Sequence, residues 1–236
     1  MHAALAVPGS AASHTLRTTR TSHVTPSTAD TASPRPPADP GNGAPIGAPT
    51  VRPDIIAAAT RVFSKRGYHA ASMSEIADEV GIRKPSLYHH VRKKEDLLFA
   101  IHEQLIDELT AETEQAIASV QDPAEKLAAS LRVALGFVSR NTDAVTVFLQ
   151  ERRELRGRRW RELVAKRDAY EHLIQDLIAE GTRRGTFVDV DPAIASKAVL
   201  AMANWGYTWF DPEGPMSADE VADVFAGIAI RGLVQR

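Results

Sequence analysis

The stretch Ser74–Leu98, SEIADEVGIRKPSLYHHVRKKEDLL, decides how the chain is read. Its opening, SEIADEV, is acidic and periodic, like an ordinary packed helix. From Ile82 to Lys94 there are five Lys and Arg residues and no acid. The charge changes sign at Gly81. The second part is either a solvated face or a surface built to meet a polyanion.

Local rules resolve the stretch into two short helices. Ser72 and Glu75 have capping-box spacing, so hydroxyl and carboxylate each answer one orphan amide at the helix start. Ile76, Ala77 and Val80 form a buried face, and Gly81 ends the helix. Pro85 is tolerated only in a first turn, so the next helix runs from about Lys84 to Val91. About three residues separate the two, which is the connection of a helix-turn-helix. In that shape the second helix enters the major groove and the first packs across it. Ile76, Ala77, Val80, Ile82 and Leu87 would make the shared core. Arg83, Lys84, Pro85, Ser86, Tyr88 and His89 are left facing outward, with Ser72 at the front of the supporting helix. Arg83 and Lys84 suit guanine edges or phosphates, Ser86 and His89 can donate to either, and Tyr88 offers a phenol to a phosphate. Lys94 would open the following helix, where its charge and the free amides suit a phosphate oxygen.

Outward from this stretch, helical patterning dominates. RPDIIAAATRVFSKRG, before it, has Pro53 in a first turn, Ile56, Ala59 and Phe63 at helical spacing, and Gly67 as a stop. After it, Leu97, Ile101, Leu105 and Leu109 form the stripe of a long helix. Further helices are expected at about 123–140, 142–154, 159–184, 192–210 and 217–234, with Asp122-Pro123, Asp191-Pro192 and Ser217 as starts. No run of strands appears. The expectation is an all-α chain: a disordered tail over 1–50, a helix-turn-helix domain over 51–97, and a ligand-binding and dimerisation domain over 98–236. The Pro-, Ser-, Thr- and Gly-rich tail cannot bury enough apolar surface to offset chain entropy. It is either without function, or an over-long start, or a supplement to DNA binding through Arg17, Arg20 and Arg35.

Composition narrows the function classes. The 236 residues carry a net charge of -2, unevenly spread. Residues 51–100 hold nine Lys and Arg against six acids, whereas residues 101–236 hold sixteen against twenty-two. A basic block on an acidic body suggests that only one part approaches nucleic acid. With no cysteine, thiolate metal sites and cysteine nucleophiles are excluded, and a reducing cytoplasm fits. No apolar run is long enough for a membrane span, and the first residues lack the features of a signal peptide. HEQLI, at His102, lacks the second histidine of a zinc-binding helix. There is no G-x-S-x-G elbow, phosphate-cradling Gly loop or dinucleotide fingerprint. His89 and His90 are adjacent and diverge on a helix. Neither enzyme chemistry nor a cofactor nor a metal site is expected. A ligand-independent, nucleoid-type protein stays open as an alternative, although an acidic body suits sequence-blind coating poorly.

IIAAATRVFSKRGYHAASMSEIADEVGIRKPSLYHHVRKKEDLL resembles the amino-terminal domain of the tetracycline-repressor (TetR) family of bacterial regulators. The F-x-x-x-G-Y of the first helix, MSEIADEVGI and LYHHVRKKEDLL carry the likeness over about 50 residues. Arg83 and Pro85 stand where the family more often has Ser and Gly. The resemblance implies a homodimeric repressor on a palindromic double-stranded operator, released by a small molecule.

The last two helices are unusually apolar. Ile194, Ala198, Ala201, Trp205 and Trp209 lie along one side of 192–210, and Val221, Val224, Phe225, Ile228 and Leu233 punctuate 217–234. Pairs of such helices from two chains would form a four-helix interface, which is where the family dimerises. ERRELRGRRWR holds six arginines between Arg152 and Arg161, and Arg167 sits on an otherwise apolar stripe with Tyr170. Either these are exposed ion pairs with a snorkelling Arg167, or they form an anion-accepting rim beside an apolar cavity. ANWGYTWFDPEGPMSADEVADVFAGIAIRGL further resembles TetR-family members that respond to acyl-coenzyme A thioesters. That likeness implies arginines on the nucleotide phosphates and a cavity for the acyl chain, with Phe148, Arg152, Arg167, Tyr170, Trp205 and Trp209 as ligand-binding candidates. A hydrophobic drug-like or lipid effector is the alternative.

Overall fold

The computed structural model describes residues 51–211 and 213–234, with the side chain of Arg152 excepted. The tail over 1–50 lies outside the described residues. Nine α-helices follow one another: α1 (Pro53–Arg66), α2 (Met73–Val80), α3 (Lys84–His90), α4 (Lys94–Ile117), α5 (Pro123–Arg140), α6 (Thr142–Gln150), α7 (Gly157–Arg183), α8 (Pro192–Asn204) and α9 (Ala218–Leu233). Among the described residues there is no strand, only one isolated antiparallel bridge between Phe187 and Val234. The protein is all-α, as its sequence indicates.

Helix starts follow the capping chemistry. Ser72 Oγ accepts the Glu75 amide at 3.2 Å while Glu75 Oε2 accepts the Ser72 amide at 2.9 Å. Ser217 and Glu220 repeat this box at α9, while the Asp122 and Asp191 carboxylates accept the amides of Glu125 and Ala193 at the starts of α5 and α8. These bonds satisfy donors that no helical carbonyl can reach.

Two expected helices end early. α6 stops at Gln150 and the chain continues as a 3-10 turn over Arg152–Glu154. The Glu151 carboxylate is drawn away to the backbone of Tyr68. α8 stops at Asn204 and gives way to a 3-10 turn over Trp205–Thr208. Gly206 is buried there, and a Cβ added to it would lie 3.3 Å from Leu135 Cδ2, so the backbone must come close to α5.

Side chains of α1–α4 build one core around Phe63, Ile76, Leu87, Leu97 and Leu98, and it is completed by Val147, Leu155 and Leu163 from beyond α5. A second core joins α5, α7, α8 and α9, with Leu127, Leu131, Ile178 and Phe187 at its centre. A third and smaller one, Leu105, Phe137, Val138 and Val145, lies between α4, α5 and α6. The long helices are also tied by charge: Lys166 of α7 contacts Glu103 at 3.0 Å and Asp107 at 2.6 Å on α4, and Arg132 of α5 contacts Asp223 of α9 at 2.6 Å.

Candidate nucleic-acid interface and ligand cavity

The connection between α2 and α3 is closed by backbone geometry. Gly81 has φ 78°, the left-handed conformation that costs a glycine least, and its N–H returns to α2. Ile82 N–H reaches the Ala77 carbonyl at 2.9 Å. Arg83 is extended, and the amides of Ser86 and Leu87 come back to its carbonyl at 2.8 and 3.2 Å. Pro85 sits in the first turn, where its missing N–H would have had no partner anyway.

α3 is anchored by one side chain. Leu87 is fully buried, whereas Lys84, Pro85, Ser86, Tyr88 and His89 are exposed, along with Arg83 before them. Tyr88 is 45% exposed, an unusual setting for a large ring with nothing to cover it. None of the side chains of Arg83, Lys84, Ser86, Tyr88 and His89 bonds to another described residue. The helix offers a row of donors and one phenol to the outside. Ser72, also exposed, has its hydroxyl oriented by the capping box at the front of α2.

Lys94 is placed differently from the expectation. Its ammonium donates to the carbonyls of Tyr68, His69 (3.1 Å) and Ala71 (2.9 Å), and lies 4.5 Å from the centre of the Tyr68 ring. Three protons meet three acceptors, so none is left for a phosphate. The amides before α4 are taken too, since Asp96 Oδ2 accepts from Arg92 N at 2.8 Å and Lys93 N at 2.9 Å. Burial works to raise the Asp96 carboxyl, but the Lys93 amide, the Arg159 guanidinium and the Arg92 amide hold it below its ordinary range. Lys94 is a strut for the turn between α1 and α2.

The arginine-rich stretch divides by role. Arg159 pairs with Asp96 at 2.5 Å and lies over the Phe99 ring, and Glu154 meets His69 at 3.2 Å. Glu151 Oε1 accepts the Tyr68 amide at 2.9 Å, and Ser64 donates to Asp143 at 2.7 Å. The acids of ERRELRGRRWR thus hold the turn after α1, and one of its arginines holds the start of α4. Arg158 pairs only with Glu162, on its own helix. Arg153, Arg156 and Arg161 are exposed. The side chain of Arg152 lies outside the described residues. Sequence reasoning missed Asp96, Asp143 and the roles of Glu151 and Glu154. The only signal was the alternation of acid and base, which does not name partners.

An apolar cavity of about 50 Å³ lies between α4, α5, α6 and α7, lined by Leu105, Leu109, Phe137, Phe148 and Tyr170 among others. Phe148 and Tyr170 therefore reach it as expected of them. Tyr170 Oη lies 3.4 Å from Thr113 Oγ1, and its burial pushes the phenol up. Trp205 and Trp209 do not reach it. They are 58% and 48% exposed: Trp205 continues the exposed stripe of Ile194, Ala198 and Ala201, and Trp209, just past the 3-10 turn, lies by Phe210 and Phe225. Arg167 is half-buried on α7 and is not part of the cavity lining. The sequence reading set His102 aside for lack of a second histidine, yet it is 1% exposed and packs its ring 4.9 Å from that of Phe148. Burial, with a further contribution from the Arg167 charge, pushes its pKa down to about 4. Among the described residues no cluster of His, Asp or Glu could hold a metal ion, and no helix is long and apolar enough to cross a membrane.

Comparison with known proteins agrees with this architecture. Residues 55–101 match the family described as bacterial regulatory proteins, tetR family, and residues 120–233 match the tetracyclin repressor-like C-terminal domain. The chain is 25% identical over 186 residues to the transcriptional repressor KstR2 of Mycolicibacterium smegmatis, covering 78% of this chain and 91% of that protein. Among solved structures, AibR in complex with isovaleryl coenzyme A and operator DNA aligns with TM-score 0.69 and 30% identity, over 74% of this chain and 95% of AibR. PfmR of Thermus thermophilus aligns with TM-score 0.71 and 34% identity, over 77% of this chain and 99% of PfmR. The protein belongs to the TetR family of transcriptional regulators, and its relatives include repressors. Regulators of this family bind operator DNA and function as dimers.

The buried imidazole has a measurable consequence. An unfolded chain takes up a proton on His102 near the ordinary value of 6.5, while the folded one resists until about 4. The stabilisation is complete above pH 6.5 and is lost as the pH falls from there towards 4, by roughly 3 kcal/mol in all. The carboxylates with lowered pKa lose their contribution mainly below pH 5, since their ordinary values are 3.8 and 4.5, so they add little between pH 7 and pH 5. Denaturant unfolding of wild type at pH 7 and pH 5 should therefore differ clearly, and His102→Phe should remove most of the difference.

Proposed function

We propose that the protein is a cytoplasmic transcriptional repressor that binds a palindromic operator as a homodimer and is released by an acyl-coenzyme A thioester. Residues 51–97 act as the reading head, and residues 98–236 as the ligand-binding and dimerising body. The observation that carries the reading is the face of α3, where Leu87 anchors a helix whose other polar side chains have no partner within the described chain. A row of unanswered donors on a short, rigid helix suits base edges and phosphates. Arg83 and Pro85 give this face its own composition, and so its own operator.

Two such heads need a dimer. The side of α8 carrying Ile194, Ala198, Ala201 and Trp205 is exposed, as are Val224 and Ile228 of α9. Ile194 is 65% exposed and Ile228 53%, which is costly for a chain that remains alone in water. Pairing these faces about a twofold axis covers them and sets two recognition helices at a fixed spacing, as paired half-sites require.

The effector enters by enlarging the cavity. A volume of about 50 Å³ holds a few waters, far short of the ~300 Å³ or more of an ordinary ligand site. A bound acyl chain must displace wall residues such as Phe148 of α6, and with them α4 or α7. Glu151, Glu154, Arg159 and Asp96 connect those helices to the turn under the reading head. Ligand binding and operator binding therefore favour different arrangements of the same contacts. The exposed Arg153, Arg156 and Arg161 suit the phosphates of coenzyme A. AibR, crystallised with both isovaleryl coenzyme A and operator DNA, supports this ligand class.

Three measurements test the proposal. With an operator selected from random duplexes by wild type, Tyr88→Ala should bind at least about tenfold more weakly with an unchanged melting temperature. Lys94→Ala should also bind weakly, but through lost stability, roughly 1–3 kcal/mol as three carbonyls lose their donor. If Tyr88→Ala bound like wild type, the face of α3 would not be the reading surface. Isovaleryl-coenzyme A should raise the melting temperature and release the operator, whereas isovalerate alone should not; inactivity of a panel of thioesters would remove that class. Ile228→Glu should convert the dimer to monomer in analytical ultracentrifugation, and a persisting dimer would move the interface elsewhere.

A further inference from the structure

The cavity wall at Phe148 separates the apolar space from a polar pair that nothing else in the fold employs. His102 lies on α4 one turn before Leu105 and Ile106, both of which line the cavity, and the Phe148 ring lies tilted against its imidazole, 4.9 Å between centroids. Nε2 is buried with no hydrogen-bond partner among the described residues, and the Val147 backbone favours a proton on the ring. With that proton on Nδ1, Nε2 of the neutral ring is an acceptor and needs a donor. A buried acceptor left unanswered lowers stability, so it calls for a reason. Arg167, one helix across on α7, lies on the inward stripe between Leu163 and Tyr170, and its charge reaches the His102 ring. It forms no ion pair or side-chain hydrogen bond with a described residue. A bare acceptor and a spare cation thus lie on two helices that pack together, and Phe148 touches both the His102 ring and the cavity.

We propose that His102 Nε2 and the Arg167 guanidinium form the polar end of the effector site, closed by Phe148 until ligand enters, and that the effector brings a hydrogen-bond donor beside a carbonyl. This rests on the effector reading above and adds the chemistry of the ligand's inner end. The donor answers His102, the carbonyl oxygen answers Arg167, and the apolar remainder lies along Leu105, Leu109 and Phe137. Two parts of an acyl thioester have this character: a hydroxyl on the acyl chain, and an amide of the pantetheine arm. A plain hydrocarbon end has neither, and leaves both groups unanswered.

Two matched pairs of probes distinguish these sources. 3-Hydroxybutanoyl-coenzyme A against butanoyl-coenzyme A tests the hydroxyl, and S-butanoyl-N-acetylcysteamine against S-butyl thiobutanoate tests the amide. Calorimetry on wild type should give at least about tenfold tighter binding for the donor-bearing member of one pair. That preference should vanish in His102→Phe and persist in His102→Gln, which keeps an acceptor near the position of Nε2. In ¹⁵N-labelled wild type, the imidazole Nε2 resonance should move when that probe is added, a readout that needs no variant to fold. Equal binding within both pairs, a preference that survives His102→Phe, or an unmoved Nε2 resonance would overturn the inference. Operator release by butanoyl-coenzyme A, followed in parallel, judges the effector reading separately. Release without a donor preference would leave that reading standing while this one fell.

Discussion

The turn between α1 and α2 is the constraint on which the placement of α2 and α3 depends. Its backbone polar groups over Tyr68–Ala71 have few helical partners, and they are answered from a distance. Lys94 supplies three donors to its carbonyls, and Glu151 accepts one of its amides. One belongs to the helix after α3, the other lies past α6, so the turn is held from two sides. The orientation of α2, and through Gly81 that of α3, follows from this arrangement. Buried backbone groups must be paired somewhere, and here the partner's position is what fixes the angle.

Much of the architecture is legible in the sequence because it is written in local rules. The capping box at Ser72, the left-handed Gly81 and the first-turn prolines 53, 85, 123 and 192 each act within a few residues, and each appears as read. The outward set on α3 is legible for the same reason, since Leu87 is its one apolar anchor at helical spacing. What escaped was long-range. Lys94 at the start of a helix looks like a phosphate ligand until carbonyls 23 to 26 residues away claim it. Trp205 and Trp209 look like cavity walls in sequence, yet Trp205 continues the bare stripe of α8 and Trp209 lies by Phe225, away from the cavity lining. Nothing near His102 in the chain signals that its ring packs on Phe148.

The cavity and the exposed helix faces are complementary in character. The interior cavity is small and lined mostly by apolar side chains, while α8 and α9 carry exposed apolar side chains on the outside. The apolar stripe on α8 that makes the helix seem over-hydrophobic in sequence is the stripe left bare, with Val199 and Ala203 facing inward instead.

The core beneath the recognition helix includes Val147, Leu155 and Leu163, contributed by segments fifty or more residues further along the chain. A recombination event that moved residues 51–97 onto another body would leave that core unfilled. Residues 51–97 are therefore not a self-contained unit: the core under α3 is discontinuous along the chain, and it closes only when α6 and the start of α7 are present.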